Sequence, residues 1–318
     1  MTPRHADIAE ELAQHRQFLQ RVAYRMVGSR DEAEDIVQEA FLRAARAGGE
    51  AIREPRAWLT RIVSRICLDH LKSARARRET YIGPWLPEPI IGSLQAIDPA
   101  DAAALGEQVG LAFMSVLETL SPAERVVYVL HEAFDVPFSE IAEITGRSPE
   151  ACRQMAVRAR RHIQERAPRF DPDPIERRRA LEAFKAACET GDLEALARLL
   201  DEHVVVQVDG GGRVKAPTRA IVGRLNALRF LASVLASVPD LGFELVDVNG
   251  EPGLIALAEP DPVVAGLVVL NGRITQVDVV ANPGKLRQAR AWLRTRPSMT
   301  PAFQPNEKID GTCKDSAG

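Results

Sequence analysis

Ser139-Glu-Ile-Ala-Glu-Ile-Thr-Gly146-Arg-Ser148-Pro-Glu-Ala-Cys152-Arg-Gln-Met-Ala-Val-Arg-Ala-Arg-Arg-His-Ile-Gln-Glu-Arg166 is the stretch that decides how this chain is built. A short helix is predicted over Ser139 to Thr145, stopped by Gly146. Ser148-Pro149-Glu150 then starts a longer helix with a cap, a proline at the first helical position and an acid in the first turn. A short helix, a three-residue turn containing glycine and a longer helix form the helix-turn-helix pattern. In the longer helix Cys152, Met155, Ala156, Ala159 and Ile163 share one stripe, so Glu150, Arg153, Gln154, Val157, Arg158 and Arg161 face outward beside the cap Ser148. Side chains at the first turns of such a helix reach base edges in a DNA major groove, where arginine matches guanine and glutamine matches adenine, while later arginines hold phosphates. A solvated arginine-rich face is the competing explanation.

Working outward, Ser121-Pro122-Ala123-Glu124 starts another helix, and the unit holding both is placed at 105–170. Upstream, 6–78 is helical throughout. Phe18, Leu19, Val22, Ala23 and Met26 form one stripe, Ala33, Ile36, Val37, Ala40, Phe41 and Ala44 a second, and Trp58, Leu59, Ile62, Ile66 and Cys67 a third. Gly28, the Gly48-Gly49 pair and Pro55 separate the three helices, and Ser29 with Glu32 suggests a capping box. Between the units, 79–104 carries Pro84, Pro87, Pro89 and Pro99 and is expected to be a stiffened linker. Beyond Pro174, helices at about 175–190 and 192–200 precede a β-branched run at Val204 to Val208, the triplet Gly210 to Gly212 and a helix at about 219–236. Strands near 242–248, 253–259, 262–270 and 273–280 follow, with Asn249-Gly250 and Asn271-Gly272 as tight turns. The expected fold is multidomain: two all-α units, the second a helix-turn-helix, then an α+β domain at 174–292 with a curled antiparallel sheet. The tail at 295–318 is small, polar and proline-rich, a composition that favours disorder.

The chain has 318 residues, room for two or three domains, and 46% apolar with 27% charged residues is an ordinary folded composition. Its longest apolar run, Val263 to Leu270, is far short of the roughly 20 residues of a membrane-spanning helix, so no membrane partner is expected. The first thirty residues intersperse Asp7, Glu10, Glu11, Arg16 and Arg21 with apolar ones, unlike a secretory signal, which makes a cytoplasmic location the expectation. Cys67, Cys152, Cys188 and Cys313 stand far apart without a CxxC pair, so neither a disulfide framework nor a metal or cofactor site is expected.

The formal net charge of −3 hides strong local asymmetry. Residues 61–78 hold six Lys/Arg against one Asp, residues 147–169 seven Arg against two Glu, and residues 31–40 five acids without a base. A protein that touches both nucleic acid and a basic protein surface would carry such blocks, although solvated helix faces produce them too. Trp58 with Arg61, Arg65 and the later cations of its helix is a candidate for single-strand stacking, with a core tryptophan as the alternative. Asp31, Glu34, Asp35, Gln38, Glu39 and Leu42 form an outward acidic side that a basic partner or water alone would satisfy.

Three long motifs in order resemble a known family. Asp31-Glu-Ala-Glu-Asp-Ile-Val-Gln-Glu-Ala-Phe-Leu-Arg43 followed by Pro55-Arg-Ala-Trp-Leu-Thr-Arg-Ile62 resembles region 2 of bacterial extracytoplasmic-function sigma factors. Leu120-Ser-Pro-Ala-Glu-Arg125, Ile141-Ala-Glu-Ile-Thr-Gly146 and Ser148-Pro-Glu-Ala-Cys-Arg-Gln154 resemble region 4. Trp85-Leu-Pro-Glu-Pro89, Asp209-Gly-Gly-Gly-Arg213 and Asn282-Pro-Gly-Lys-Leu286 are similar to the signatures of the SigJ-type subgroup, which carries a fused SnoaL-like domain. The resemblance implies a transcription initiation factor that binds core RNA polymerase, through its β′ and β subunits, and promoter DNA. It implies that Asp35, Gln38 and Glu39 face a basic coiled coil of β′. It places −10 melting on the loop Ala47 to Glu54 and the helix after it, where a base leaves the stack at a cost of a few kcal/mol, and −35 reading on the second unit. Two departures are Arg65, where many members carry Asn, and Gly284, where the subgroup usually has Asp.

For the fused domain the resemblance implies a cone like those of polyketide cyclases and isomerases, with room for an unidentified small ligand. Catalysis there needs a paired acid and base. His203, Asp247 and Asp278 are the candidates, and no paired spacing singles them out, so no enzymatic activity is expected. Trp85, Leu86 and Pro87 of the linker, Asp209 to Arg213, and Asn282, Pro283, Lys285 and Leu286 are expected to dock the cone on the linker, with the glycines allowing close backbone approach. A plain glycine turn competes with that explanation. Two functions stay open: an initiation factor regulated in cis, or a one-component sensor or cyclase-like cone fused to a DNA-binding module.

Overall fold

The structure, a computed structural model, describes residues 3–46, 54–78, 80–92, 110–166, 174–238 and 241–295. Three helices open the chain: α1 (Pro3–Val27), α2 (Arg30–Arg46) and α3 (Pro55–Arg78). The loop 47–53, the linker beyond Gly92, the tail and Cys313 lie outside the described residues. Among the described residues the second unit holds four helices: α4 (Leu111–Leu117), α5 (Pro122–Tyr128) extended by a π turn at Val129–Ala133, α6 (Phe138–Thr145) and α7 (Pro149–Arg166). Ser121 and Glu124 complete a reciprocal capping box at α5, and Gly146 ends α6 in the left-handed conformation at φ +66°. Ser29 behaves differently. Its hydroxyl accepts from the Glu32 amide at 3.4 Å, but it donates to Glu88 of the linker, while the Glu32 carboxylate meets His70.

Both helical units share one core. Leu19, Val22, Met26 and Val63 of the first cluster with Met114, Val126, Leu130 and Ile141 of the second. No periodicity within either unit announces this, because it depends on which faces the linker brings together.

The third unit starts with α8 (Pro174–Thr190) and α9 (Leu193–Leu199), then β1 (Leu200–Asp209), β2 (Ile221–Val222), α10 (Arg224–Ser237), β3 (Phe243–Val248), β4 (Glu251–Ala256), β5 (Val263–Leu270) and β6 (Arg273–Val280). A 3-10 turn (Pro283–Lys285) and α11 (Arg287–Arg294) close it. The strands lie in the order β2-β1-β6-β5-β4-β3. The expectation of a purely antiparallel sheet is corrected: β1 runs parallel to β6, with Val206 opposite Val277 and Gln207 opposite Asp278. A helix and four strands separate the two in sequence, ample chain for the crossover that a parallel pair requires. The long helix also begins later than expected, at Arg224, because Ile221 and Val222 pair with Val206 and Val205 instead. Asn249-Gly250 and Asn271-Gly272 take positive φ at both positions, +57° and +80°, +52° and +68°, which is the geometry of a twist-matched two-residue hairpin.

Alternation gives the sheet two apolar faces. Val204, Val206, Val208, Leu254 and Val277 pack under α8, α9 and α10. Ile255, Val264 and Val280 turn the other way, onto Leu86 and Ile91 of the linker, Leu111 of α4, and Leu286 and Ala289 around α11. The proline-rich segment is therefore no exposed spacer: Leu86 to Pro89 and Ile91 are buried. α11 was unforeseen, although Leu286, Ala289, Trp292 and Leu293 fall at helical spacing.

Candidate functional site

The helix-turn-helix presents its candidate face openly. Cys152, Met155, Ala156, Ala159 and Ile163 of α7 are buried, and Glu150, Arg153, Gln154, Val157, Arg158 and Arg161 are exposed. Ser148 caps the helix, accepting from the Ala151 amide at 3.2 Å. Arg158 pairs with Glu124 at 3.4 Å and Arg161 with Glu165 at 2.9 Å, exposed pairs that DNA phosphates can exchange at small cost. Arg153 lies over the Phe138 ring, 5.5 Å from its centroid.

The other DNA candidates are engaged. Trp58 is half-buried against the shared core. Arg61 meets Glu143 of α6 at 3.1 Å, and Arg65 donates to the Glu143 carbonyl at 3.0 Å. A cleft of about 450 Å³, lined by Phe18, Arg56, Thr60, Phe134 and Glu140 among others, runs between the start of α3 and the second unit. On α2, Asp35, Gln38 and Leu42 are exposed, while Glu34 pairs with Arg16 at 3.1 Å and Glu39 with Arg43 at 2.8 Å. Asp31 reaches out of its unit to Arg287 of α11.

The linker candidates converge with those of the third unit at one end of the sheet. Asp209, fully buried at the end of β1, accepts from the Tyr81 hydroxyl at 2.5 Å, the Leu86 amide at 2.9 Å and the Lys285 ammonium at 2.7 Å. Lys285 also donates to the Leu86 carbonyl, and its Nζ stands 3.8 Å from the centroid of Trp85. Asn282 donates to the Tyr81 hydroxyl at 2.9 Å and caps its own turn through the Gly284 amide. Burial, the Asp209 carboxylate and its hydrogen bond all push the Tyr81 phenol up, so it stays a donor. Gly211, at φ +59°, leaves no room for a Cβ, which would overlap the Asn282 amide, and one on Gly212 would lie 2.9 Å from Ile82. The close approach of another chain segment, more than the turn itself, requires these glycines.

Trp85 is also wedged on the helical side. A Cβ on Gly28 would stand 2.8 Å from its Cη2 and 3.0 Å from Glu118. Glu118 pairs with Arg125, a fully buried arginine whose Nε and Nη2 donate to the Arg25 carbonyl of α1 at 3.3 and 3.2 Å. A continuous path of touching groups therefore runs from the sheet through Lys285 and Trp85 to the seam between the helical units.

Several participants escaped the sequence. Asn249 looks like an ordinary hairpin residue, yet its amide donates to the Tyr24 hydroxyl at 2.6 Å and accepts from the Ile90 amide at 2.9 Å. Tyr24 in turn donates to the Glu88 carbonyl at 2.8 Å, and the Glu88 carboxylate accepts from Ser29 and from the Arg30 amide at 2.8 Å. Burial pushes the Glu88 carboxyl up, opposed by those two donors. Ile91 bridges Val248, so the linker adds a residue to the open edge of β3. The one available signal was Glu88 itself, a lone acid between two prolines.

The acid/base candidates do not converge. His203 lies near the start of β1, Asp247 near the end of β3 at the far edge of the sheet, and Asp278 on the face opposite to that of Asp247. Asp278 is buried, held by the Gln276 amide at 2.8 and 2.9 Å, with Gln207 at 3.4 Å. Burial pushes its carboxyl up to about 6, against the lowering effect of Gln276. A raised native value means that the folded chain is penalised once the carboxyl ionises, so stability falls as pH rises from about 4 to above 6. Asp278→Asn is accordingly expected to stabilise by about 2–3 kcal/mol near pH 7.5 and to be neutral near pH 4. Denaturant midpoints across that range check it, and a gain that is the same at both ends would refute the assignment.

Comparison with known proteins gives three family matches along the chain: Sigma-70 region 2 over residues 12–77, Sigma-70 region 4 over 110–163 and a SnoaL-like domain over 181–292. The ECF RNA polymerase sigma factor SigJ of Mycobacterium tuberculosis is 40% identical over 283 residues, 85% of this chain and 90% of that protein. The probable ECF sigma factor SigI of the same organism is 38% identical over 296 residues, 91% and 98% of the two chains. The crystal structure of M. tuberculosis SigJ superimposes with a TM-score of 0.71 at 36% identity, covering 87% of this chain and 97% of that one. With helical promoter-binding regions joined to an α+β partner in the same order and over nearly the whole length, the chain belongs to the extracytoplasmic-function sigma factors of RNA polymerase that carry a fused SnoaL-like domain.

Proposed function

We propose that this sigma factor is regulated in cis, its C-terminal domain at 174–292 gripping the linker and, through Trp85, steadying a closed arrangement of regions 2 and 4. The observation that carries this is Asp209, a buried carboxylate on one domain whose three partners include two linker residues. A domain that binds the closed and promoter-engaged arrangements differently shifts the balance between them, and a few kcal/mol suffices. In the closed arrangement Arg61 and Arg65 are spent on Glu143, so −10 capture requires region 4 to leave α3. The domain acts as a regulator and not as an enzyme, in keeping with the scatter of His203, Asp247 and Asp278 over the sheet.

Core polymerase engages the outward side of α2, with Asp35, Gln38, Glu39 and Leu42 as contacts and Asp31 and Glu34 at its margin. The −35 duplex engages α7. Arg153→Ala or Gln154→Ala should cost about 1–3 kcal/mol and relax base preference at one position, whereas Arg161→Ala should weaken all promoters alike and flatten the salt dependence. Holoenzyme binding to a promoter-mutation series separates the two effects, and equal losses on every sequence for all three variants would sink base reading by α7.

A further inference from the structure

A third basic stretch lies where neither promoter-binding region is. Between Asp209 and Asp240 the chain carries Arg213, Lys215, Arg219, Arg224 and Arg229 and no carboxylate, in a protein of formal net charge −3. Arg224 is occupied, donating to the Leu200 carbonyl at 3.0 Å. Arg213, Lys215 and Arg219 stand exposed on the loop between β1 and β2. Many other exposed cations here sit three or four residues from a carboxylate that pairs with them: Arg43 with Glu39, Lys72 with Asp69, Arg178 with Glu182, Arg179 with Glu176. This loop has no such neighbours in sequence. Gly284 sharpens the contrast, since a Cβ there would lie 3.5 Å from Arg213 Nη1, and the residue placed to offer a counter-charge has no side chain.

The position of the loop suggests its partner. It packs on the linker directly after α3, with Gly212 against Ile82 and Gly83 against Pro217 and Thr218. The α3 helix, which carries Arg61, Arg65 and Lys72, ends at Arg78, just before the linker residues that the loop touches. The loop cations therefore sit on the linker directly after the last turn of the region 2 helix α3. A row of exposed cations with no base-reading scaffold suits phosphates, which carry no sequence information and release counterions when neutralised.

We propose that the Arg213–Arg219 loop of the C-terminal domain binds the DNA backbone, holding promoter duplex phosphates upstream of the −10 element beside α3. This rests on the sigma-factor function above and extends it, giving the fused domain a direct share of the promoter. The test is the salt dependence of promoter binding by holoenzyme assembled with the full chain or with the double variant Lys215→Gln/Arg219→Gln. Both side chains are exposed and neither is part of the Asp209 dock. Each phosphate left without its cation should reduce the slope of log K against log salt by about 1, so the double variant is expected to show a slope shallower by roughly 2, uniformly across promoter sequences. An unchanged slope with a parent that binds normally would overturn the loop's role on DNA alone, leaving any loop charge effect to an acidic protein partner. Failure of the parent holoenzyme to bind promoter would overturn the initiation-factor function as well.

Discussion

Asp209→Ala is expected to free the linker from the C-terminal domain while leaving each domain folded. The carboxylate pairs with Lys285, and it is also the acceptor for the Leu86 amide and the Tyr81 hydroxyl. Removing it leaves an ammonium that is only 13% exposed facing the void, and breaking a buried pair on one side costs about 3–5 kcal/mol. The hydrophobic clusters of the helical pair and of the sheet do not depend on it. Amide exchange reports local opening free energies, so the Leu86 amide should exchange about 100 to 1000 times faster. Amides in the middle of α1 should be little changed. Equal acceleration everywhere would mean that Asp209 simply holds up the fold.

The second large effect is expected at Arg125. Its guanidinium is buried between the two helical units, and burial drags it down to about 9 from the usual arginine range. Glu118 and the Arg25 carbonyl compensate that cost only while all three stay together. Arg125→Met should destabilise the chain by about 3–5 kcal/mol, because Glu118 is left without the Arg125 cation in a poorly solvated place. Arg125→Met combined with Glu118→Leu should recover most of the loss, since an apolar replacement of both partners is often near neutral. Denaturant unfolding of the two variants decides it, and a double variant as unstable as the single one would show that Arg125 matters through packing alone.

Much of this organisation was legible in the residues. Stripes such as Cys152, Met155, Ala156, Ala159 and Ile163 predict their own burial, since helical period and apolarity are local properties. Asn-Gly pairs mark the two tight hairpins for the same reason. What stayed hidden depends on partners far away in sequence. The parallel pairing of β1 with β6 joins residues about seventy positions apart, and Tyr24 finds Asn249 across 225. Proline suggested a stiffened linker over 79–104, but stiffness says nothing of burial, and in its described part Leu86, Pro87, Glu88 and Pro89 are all covered. Among the candidate sites, the faces of α2 and α7 could be drawn from periodicity. The engagement of Arg61 and Arg65 by Glu143 could not, because it is a property of how two units meet.

Regulation in cis is tested most directly by single-round transcription from one promoter, comparing the parent with Asp209→Ala at saturating core polymerase and DNA. If the dock steadies the closed arrangement, the variant gives a several-fold higher transcript yield with unchanged binding to core polymerase. Equal yields from the two proteins would contradict the account.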